Sequence, residues 1–127
     1  MINLLCFNLE KQLRKTKSVS NHTIKGLACS SGKVEGKIQF LNSPTEKFKT
    51  GNILLAWVTD PDWIPHMMKA KGVITASGGF LCHAGIVSRE LGIPCITGVG
   101  GEVVKKLSLQ DELEVVLDGD EGTITIK

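Results

Sequence analysis

Hydrophobic and polar positions alternate along part of the chain and cluster elsewhere. In the stretch KVEGKIQFL, residues 34–40 alternate between apolar or small and polar positions, which predicts a β-strand with one buried face. Residues Ile53 to Val58 are apolar throughout and predict a strand buried on both faces. Further short strands are predicted at Val73–Thr75 and Cys95–Thr97, and the stretch LEVVLDGDEGTITI predicts two strands joined at residues 118–122.

Two helices are predicted between these strands. In the first, Asp62 is a candidate N-cap, Pro65 suits a first turn because it lacks an N–H, and Gly72 is a candidate terminator. The second begins at or just before His83 and ends at Gly92, a residue type that adopts the left-handed conformation at helix ends. Its small and apolar residues form one narrow face that can lie close to a sheet: Ala84, Val87, Ser88 and Leu91.

The order of these elements indicates the α/β fold class. From residue 53 to residue 97 strands and helices alternate, which implies parallel crossovers, while both ends are rich in β-strand. A chain of 127 residues that is 42% hydrophobic is long enough to bury a core of its own. The sequence therefore predicts one compact β/α domain with mixed sheets.

Charge and cysteine content exclude several classes of function. The net charge is only +2, Tyr is absent, and no basic stripe is interleaved with aromatic residues, so nucleic acid is not predicted as a partner. The four cysteines are scattered without a CxxC pair, which argues against a zinc site or a redox motif. A reducing, cytoplasmic location fits this cysteine usage best.

The chain divides into three predicted segments. Residues 1–17 predict an N-terminal amphipathic helix, which either packs on its own domain or serves as a linker or docking helix for a partner. Polar residues interrupt its apolar run, and the positive charge follows the run, so a signal peptide is not predicted. Residues 18–25 are a predicted linker and residues 26–127 the compact domain. No window has the roughly 18 apolar residues that a membrane span needs, so no membrane partner is expected.

The stretch GGFLCHAGIVSRELGIP, residues 78–94, places His83 between a glycine pair and the second predicted helix. The first turn of a helix offers unpaired N–H groups and the positive end of the helix dipole, which favour a bound phosphate and a neutral imidazole. Gly78 and Gly79 let the backbone approach such an anion without a Cβ in the way. From spacing alone, a structural His83 and a reactive His83 are equally good interpretations.

The longer stretch GGFLCHAGIVSRELGIPCITGVG resembles the phosphohistidine motif of the mobile, swivelling domain of phosphoenolpyruvate-utilising enzymes. That family includes phosphoenolpyruvate synthase, pyruvate phosphate dikinase, rifampicin phosphotransferase and, more distantly, enzyme I of the sugar phosphotransferase system. The matching positions are Gly78-Gly79, Cys82-His83-Ala84, residues 88–94 and Gly98. Weaker similarity extends over roughly residues 26–127. The resemblance implies a compact swivelling β/β/α domain with mixed sheets and a phosphohistidine at a helix N-terminus.

By the same resemblance, His83 accepts and donates a phosphoryl group through Nε2. The implied neighbours of the phosphate are Gly78, Gly79, Cys82, Ala84 and Gly85. The implied function is that of a phosphoryl carrier between a nucleotide site on an ATP-grasp domain and a phosphoenolpyruvate or pyruvate site on another domain. These partner domains lie in separate chains or in a longer parent chain. No cofactor is expected on this domain, and Mg²⁺ is expected on the partners. The alternatives are a carrier domain of the rifampicin phosphotransferase type and a non-catalytic interaction module that retains the fold.

Two features depart from the family pattern. Leu81 stands where the synthases and dikinases usually have Thr, so a hydroxyl near the phosphohistidine and a target for regulatory phosphorylation are both missing. Cys82 is also a poor hydrogen-bond acceptor for capping the helix. In addition, no segment of this chain forms an ATP-grasp domain or a phosphoenolpyruvate-binding barrel. The chain is therefore interpreted as a phosphotransferase component that is incomplete on its own.

The remaining candidate residues are interpreted as structural. Adjacent residues on a helix point about 100° apart, so Cys82 and His83 do not predict a thiol–imidazole dyad. His66 is interpreted as a surface or interface residue and His22 as part of the linker. The carboxylates lack metal-site spacing and are interpreted as caps and turn residues, so no metal site is predicted: Asp60, Asp62, Asp118, Asp120 and Glu121.

Overall fold

The computed structural model describes residues 23–110 and 112–127. The strands are β1 (Thr23–Lys25), β2 (Leu27–Ser30), β3 (Lys33–Phe40), β4 (Ile53–Ala56), β5 (Gly72–Thr75), β6 (Cys95–Thr97), β7 (Glu114–Asp118) and β8 (Thr123–Ile126). The helices are α1 (Ile64–Met67), preceded by a 3-10 turn at Pro61–Trp63, α2 (His83–Leu91) and α3 (Gly101–Ser108). The helix predicted at residues 1–17 lies outside the described residues. Nowhere in the described ranges is a helix long and apolar enough to cross a membrane.

The strands form one mixed sheet in the order β1-β8-β7-β3-β4-β5-β6-β2. Strand β3 joins its two parts, because residues 33–37 pair antiparallel with β7 and residues 38–40 pair parallel with β4. The pairs β4–β5 and β5–β6 are also parallel, whereas β7–β8, β1–β8 and β2–β6 are antiparallel. The predicted α/β class with mixed sheets is confirmed.

Three layers are stacked around the parallel strands. All four residues of β4 are fully buried, as predicted for a strand covered on both faces. Leu54 and Ala56 belong to a core cluster that includes residues of α1 and α2, whereas Ile53 and Leu55 pack with residues of β7, β8 and α3. Helix α2 lies on β2, β5 and β6. This is the β/β/α arrangement that the resemblance implied.

Three predicted boundaries around the first helix were wrong. Strand β4 ends at Ala56, and Trp57 and Val58 are 37% and 53% exposed, because the chain has already left the sheet. Asp62 caps neither turn: an Asp60 carboxylate oxygen caps the 3-10 turn by accepting from the backbone N–H of Asp62 at 2.9 Å, and α1 begins after Trp63 without a side-chain cap. The helical turns end at Met67, and Gly72 begins β5 instead of ending the helix.

Further differences concern β1, β2, α3 and one face of α2. Residues 23–25, which the predicted linker included, form β1 and pair with β8. Strand β2 and helix α3 were not predicted at all. On α2, Ala84 and Ser88 are buried and Val87 packs half-buried against the core, as predicted, but Gly85 is buried as well and Leu91 is 38% exposed.

The burial of β4 on two faces gives a test of the layered fold. We expect Leu54→Ala and Leu55→Ala each to lower the free energy of unfolding by about 2–5 kcal/mol, because each leaves a cavity in a different core cluster. Urea denaturation measures the change. Leu109→Ala is the control, because Leu109 is 77% exposed and its removal should change stability by less than about 0.5 kcal/mol. A large loss in only one of the two core variants would contradict the layered arrangement.

Candidate functional site

The candidate site lies at the carboxyl ends of the parallel strands. The loops that follow β4, β5 and β6 all leave the sheet at this edge, where α/β folds commonly bind ligands. Backbone hydrogen bonds continue beyond the strand ends and hold the loops together. The N–H of Ser77 donates to the Trp57 carbonyl at 3.2 Å, and the N–H of Gly100 donates to the Ala76 carbonyl at 2.9 Å.

His83 is the first residue of α2, as predicted, and its side chain is half-buried. Its ring nitrogen Nδ1 lies 3.0 Å from the Thr59 hydroxyl oxygen, which is supplied by the loop after β4. This contact occupies Nδ1 whichever atom donates. Nε2 makes no hydrogen bond to any residue of the described chain. The ring is therefore held through one nitrogen and free at the other.

The first turn of α2 offers unpaired backbone donors beside this ring. The preceding residue, Cys82, is extended (φ −73°, ψ 166°), and its side chain makes no capping hydrogen bond, as expected for a thiol. The Cys82 carbonyl accepts from the Ile86 N–H at 3.0 Å. The N–H groups of His83, Ala84 and Gly85 therefore have no partner within the helix, and they carry the positive end of its dipole. At the other end, Gly92 has φ 75° and terminates the helix as predicted.

The glycine pair shapes the loop before the helix. Gly78 has φ 134°, a backbone conformation that favours glycine, and a Cβ there would also lie 2.9 Å from the Cys82 sulfur. Gly79 has open space around its α-carbon. The Gly79 carbonyl accepts from the Cys82 N–H at 3.2 Å and from the Cys29 thiol at 3.5 Å, which draws the loop back onto the protein.

Not all of the predicted phosphate neighbours present their side chains to the same space. Gly78, Gly79 and Cys82 lie in the loop that leads into His83. Ala84 and Gly85 are buried on the packing face of α2, so only their backbone N–H groups are suited to contact a phosphoryl group. The predicted phosphate neighbours therefore form two groups: a loop that precedes His83, and backbone N–H donors that follow it on α2.

Several large apolar side chains that lie close in the sequence to His83 or to Thr59 are exposed. Leu81 is 76% exposed, Phe80 is 53% exposed, and Ile86, one helical turn beyond His83, is 41% exposed. Trp57 and Val58 are exposed just before Thr59. Apolar side chains grouped in this way commonly mark a surface that another protein or domain covers.

Two of the other candidates have structural contacts. The Nε2 atom of His66 lies 2.7 Å from the Pro44 carbonyl oxygen, so His66 has a structural role in holding the loop that contains Pro44. An Asp118 carboxylate oxygen accepts from the backbone N–H groups of Asp120 and Glu121, which is the turn role that was predicted. His22 lies outside the described residues.

The cysteines near this site are poorly suited to act as nucleophiles. Burial raises the pKa of the Cys95 thiol to about 12, so this cysteine stays protonated at neutral pH. Cys29 is buried, and its sulfur lies 3.1 Å from the hydroxyl oxygen of Thr97. Within residues 23–110 and 112–127, no three His, Cys, Asp or Glu side chains are grouped to hold a metal ion.

Sequence reasoning missed Thr59. The residue lies 24 positions before His83, and only the parallel pairing of β4 with β5 brings the two together. The available signal was a polar residue shortly after the end of a fully apolar strand. That signal becomes informative only once the order of the strands is known.

The chain is similar in sequence to a known family of domains and to several larger proteins. Residues 48–122 match the model of the mobile domain of PEP-utilising enzymes. A probable phosphoenolpyruvate synthase of Methanothermobacter thermautotrophicus is 42% identical over 105 residues, which are 80% of this chain and 15% of that protein. The phosphoenolpyruvate synthase of Helicobacter pylori is 42% identical over 106 residues, which are 80% of this chain and 13% of that protein.

Solved structures show the same fold at low sequence identity. An NMR structure of Enzyme I has a TM-score of 0.52 at 24% identity over 63% of this chain and 32% of that chain. Aconitase X from Thermococcus kodakaraensis has a TM-score of 0.58 at 17% identity over 84% of this chain and 98% of that chain. The fold and the family match together define a mobile domain. The chain belongs to the family of PEP-utilising enzyme mobile domains.

The contact between Thr59 and His83 predicts which tautomer the imidazole adopts. We expect the neutral ring to carry its proton on Nδ1, donating to the Thr59 hydroxyl, with Nε2 unprotonated. Thr59→Val removes one hydrogen bond of about 1 kcal/mol, so the ratio of the two tautomers should move roughly fivefold toward Nε2–H. The ¹⁵N chemical shifts of the ring measure this ratio. Thr59→Ser should retain the wild-type ratio, and an unchanged ratio in Thr59→Val would contradict the role assigned to the contact.

Proposed function

We propose that this chain is a phosphoryl carrier whose acceptor atom is Nε2 of His83. The carrier receives the phosphoryl group from a nucleotide-derived donor on one partner domain and delivers it to pyruvate on another, or it runs in reverse from phosphoenolpyruvate. The observation that carries the proposal is the open first turn of α2, where Nδ1 is held by Thr59 and Nε2 is free. The names of the relatives, phosphoenolpyruvate synthases, support the choice of substrates.

The residues present suit both halves of such a transfer. The Nε2 lone pair attacks phosphorus in line, an N–P bond forms, and the P–O bond to the leaving group breaks with its electron pair. Positive charge then develops on the ring, and the Thr59 hydroxyl stabilises it by accepting from Nδ1–H. The phosphoryl oxygens accept from the N–H groups at the start of α2. Delivery reverses these steps at the same nitrogen.

The proposal requires partner domains. The chain spans 12–15% of the length of the relatives it matches, so the sites for the nucleotide and for phosphoenolpyruvate would lie elsewhere. We infer an ATP-grasp domain and a phosphoenolpyruvate- or pyruvate-binding domain, both with Mg²⁺, working with this domain in the cytoplasm. The exposed apolar residues beside His83 supply a surface on which such partners can dock.

A second candidate is a non-catalytic interaction module, and Leu81 is the observation that favours it. Leu81 provides no hydroxyl beside His83, and Cys82 does not replace it as a helix cap. The same exposed apolar surface would serve a binding role without chemistry. The two candidates differ in whether phosphate becomes bonded to His83.

A labelling experiment distinguishes them. The full chain is incubated with ³²P-labelled phosphoenolpyruvate, Mg²⁺ and the Helicobacter pylori phosphoenolpyruvate synthase, whose own mobile-domain histidine has been replaced. We expect label on this chain that is lost in acid and survives alkali, because a phosphoramidate bond is acid-labile. His83→Ala should abolish the label.

His66→Gln is the matched control, because the glutamine amide N–H can still donate to the Pro44 carbonyl. That variant should keep the full label. Acid-labile phosphate on the His83→Ala variant would show that another residue is the acceptor. Absence of label on the wild-type chain, with synthases of two relatives tested, would favour the interaction module.

A further inference from the structure

Arg89, in the last part of α2, links the loop before His83 to strand β2. Its guanidinium nitrogens Nη1 and Nη2 donate to the backbone carbonyls of Cys29 and Phe80 at 2.7 and 2.9 Å. The same group stacks on the Phe80 ring, with Cζ 4.1 Å from the ring centroid. A guanidinium holds its donors in a rigid plane, so this one side chain fixes both carbonyls together.

A bulge in β2 explains why the Cys29 carbonyl is available. Strand β2 pairs with β6 at Ala28 and at Ser30, and the register skips Cys29 between them. A residue at a bulge leaves the regular ladder, and bulges are frequent beside active sites. Here the irregular residue of β2 supplies an acceptor for Arg89.

The Arg89 side chain runs back toward the start of its own helix. Arg89 lies about 9 Å along the helix axis from His83, and long helical side chains point toward the N-terminus. In this way the guanidinium reaches the carbonyl of Phe80, upstream of His83. Gly85 leaves room for this contact, because a Cβ there would lie 2.9 Å from the Phe80 oxygen and 3.4 Å from Nη1 of Arg89.

We propose that Arg89 is the positioning residue of the His83 site. It acts through the Phe80 carbonyl, by holding residues 78–82 so that the His83 ring and the N–H groups at the start of α2 keep one orientation. This inference rests on the proposed function. Phosphoryl transfer depends on in-line alignment, so a loosened loop slows the reaction even while the fold persists.

The test uses phosphoramidate, a small phosphoryl donor that needs no partner protein. Nε2 attacks its phosphorus, the N–P bond of the donor breaks, and ammonia leaves. We expect Arg89→Met to lower the rate constant for phosphorylation of His83 at least about tenfold at a temperature well below its unfolding midpoint. Arg89→Lys retains the charge but not the paired donors and should be intermediate. Glu90→Gln, the exposed neighbour on the same helix, should match the wild type.

Chemical rescue separates positioning from a general structural role. Millimolar methylguanidinium should restore much of the rate to Arg89→Ala and leave the wild type unchanged. If Arg89→Met does not fold, the Arg89→Lys variant provides the test. We expect this variant to fold and to be phosphorylated several-fold more slowly than the wild type. Wild-type rates in folded Arg89 variants, or no reaction of His83 even in the wild type, would overturn the inference. Failure of the carrier function itself is seen separately, as loss of phosphoenolpyruvate-dependent label.

Discussion

The parallel pairing of β4 with β5 and of β5 with β6 determines where every part of the site lies. The apolar run of β4 is stable only when both of its faces are covered, which places it between the α1–α2 layer and the layer of β7, β8 and α3. Once these strands run parallel, their carboxyl ends share an edge, and the loops that carry Thr59 and the glycine pair begin side by side. Hydrogen bonds such as Ser77 N–H to the Trp57 carbonyl extend that order into the loops.

Helix α2 packs on these strands in a way that leaves the backbone N–H groups of its first turn unpaired. Small residues on its buried face, Ala84, Gly85 and Ser88, let it lie close to β2, β5 and β6. The unpaired N–H groups and the helix dipole then lie beside an imidazole that is held through Nδ1. Backbone donors need no side-chain rearrangement to receive a phosphoryl group, so the site is suited to a group that arrives and leaves repeatedly.

Local patterns in the sequence predicted the elements that depend on local physics. The alternation of β3, the buried run of β4 and the start and glycine end of α2 were all predicted because periodicity, burial and left-handed glycine are local properties. Thr59 was missed because its distance from His83 depends on strand order. Trp57 and Val58 were wrongly placed in β4 because apolar character continues beyond the point where the sheet ends. Helix α3 was missed because its ends carry no local signal: it begins after Gly100 without a side-chain cap and ends at Leu109 without a glycine.

The central claim is that the fold holds Nδ1 of His83 and leaves Nε2 to carry the phosphoryl group. The most direct test is the position of phosphorus on the ring in the ¹⁵N-labelled, phosphorylated chain, measured by ³¹P–¹⁵N correlation. The account predicts a correlation with Nε2 of His83 and retention of the proton on Nδ1. A correlation with Nδ1 would contradict the role of Thr59, and phosphate on any residue other than His83 would contradict the site itself.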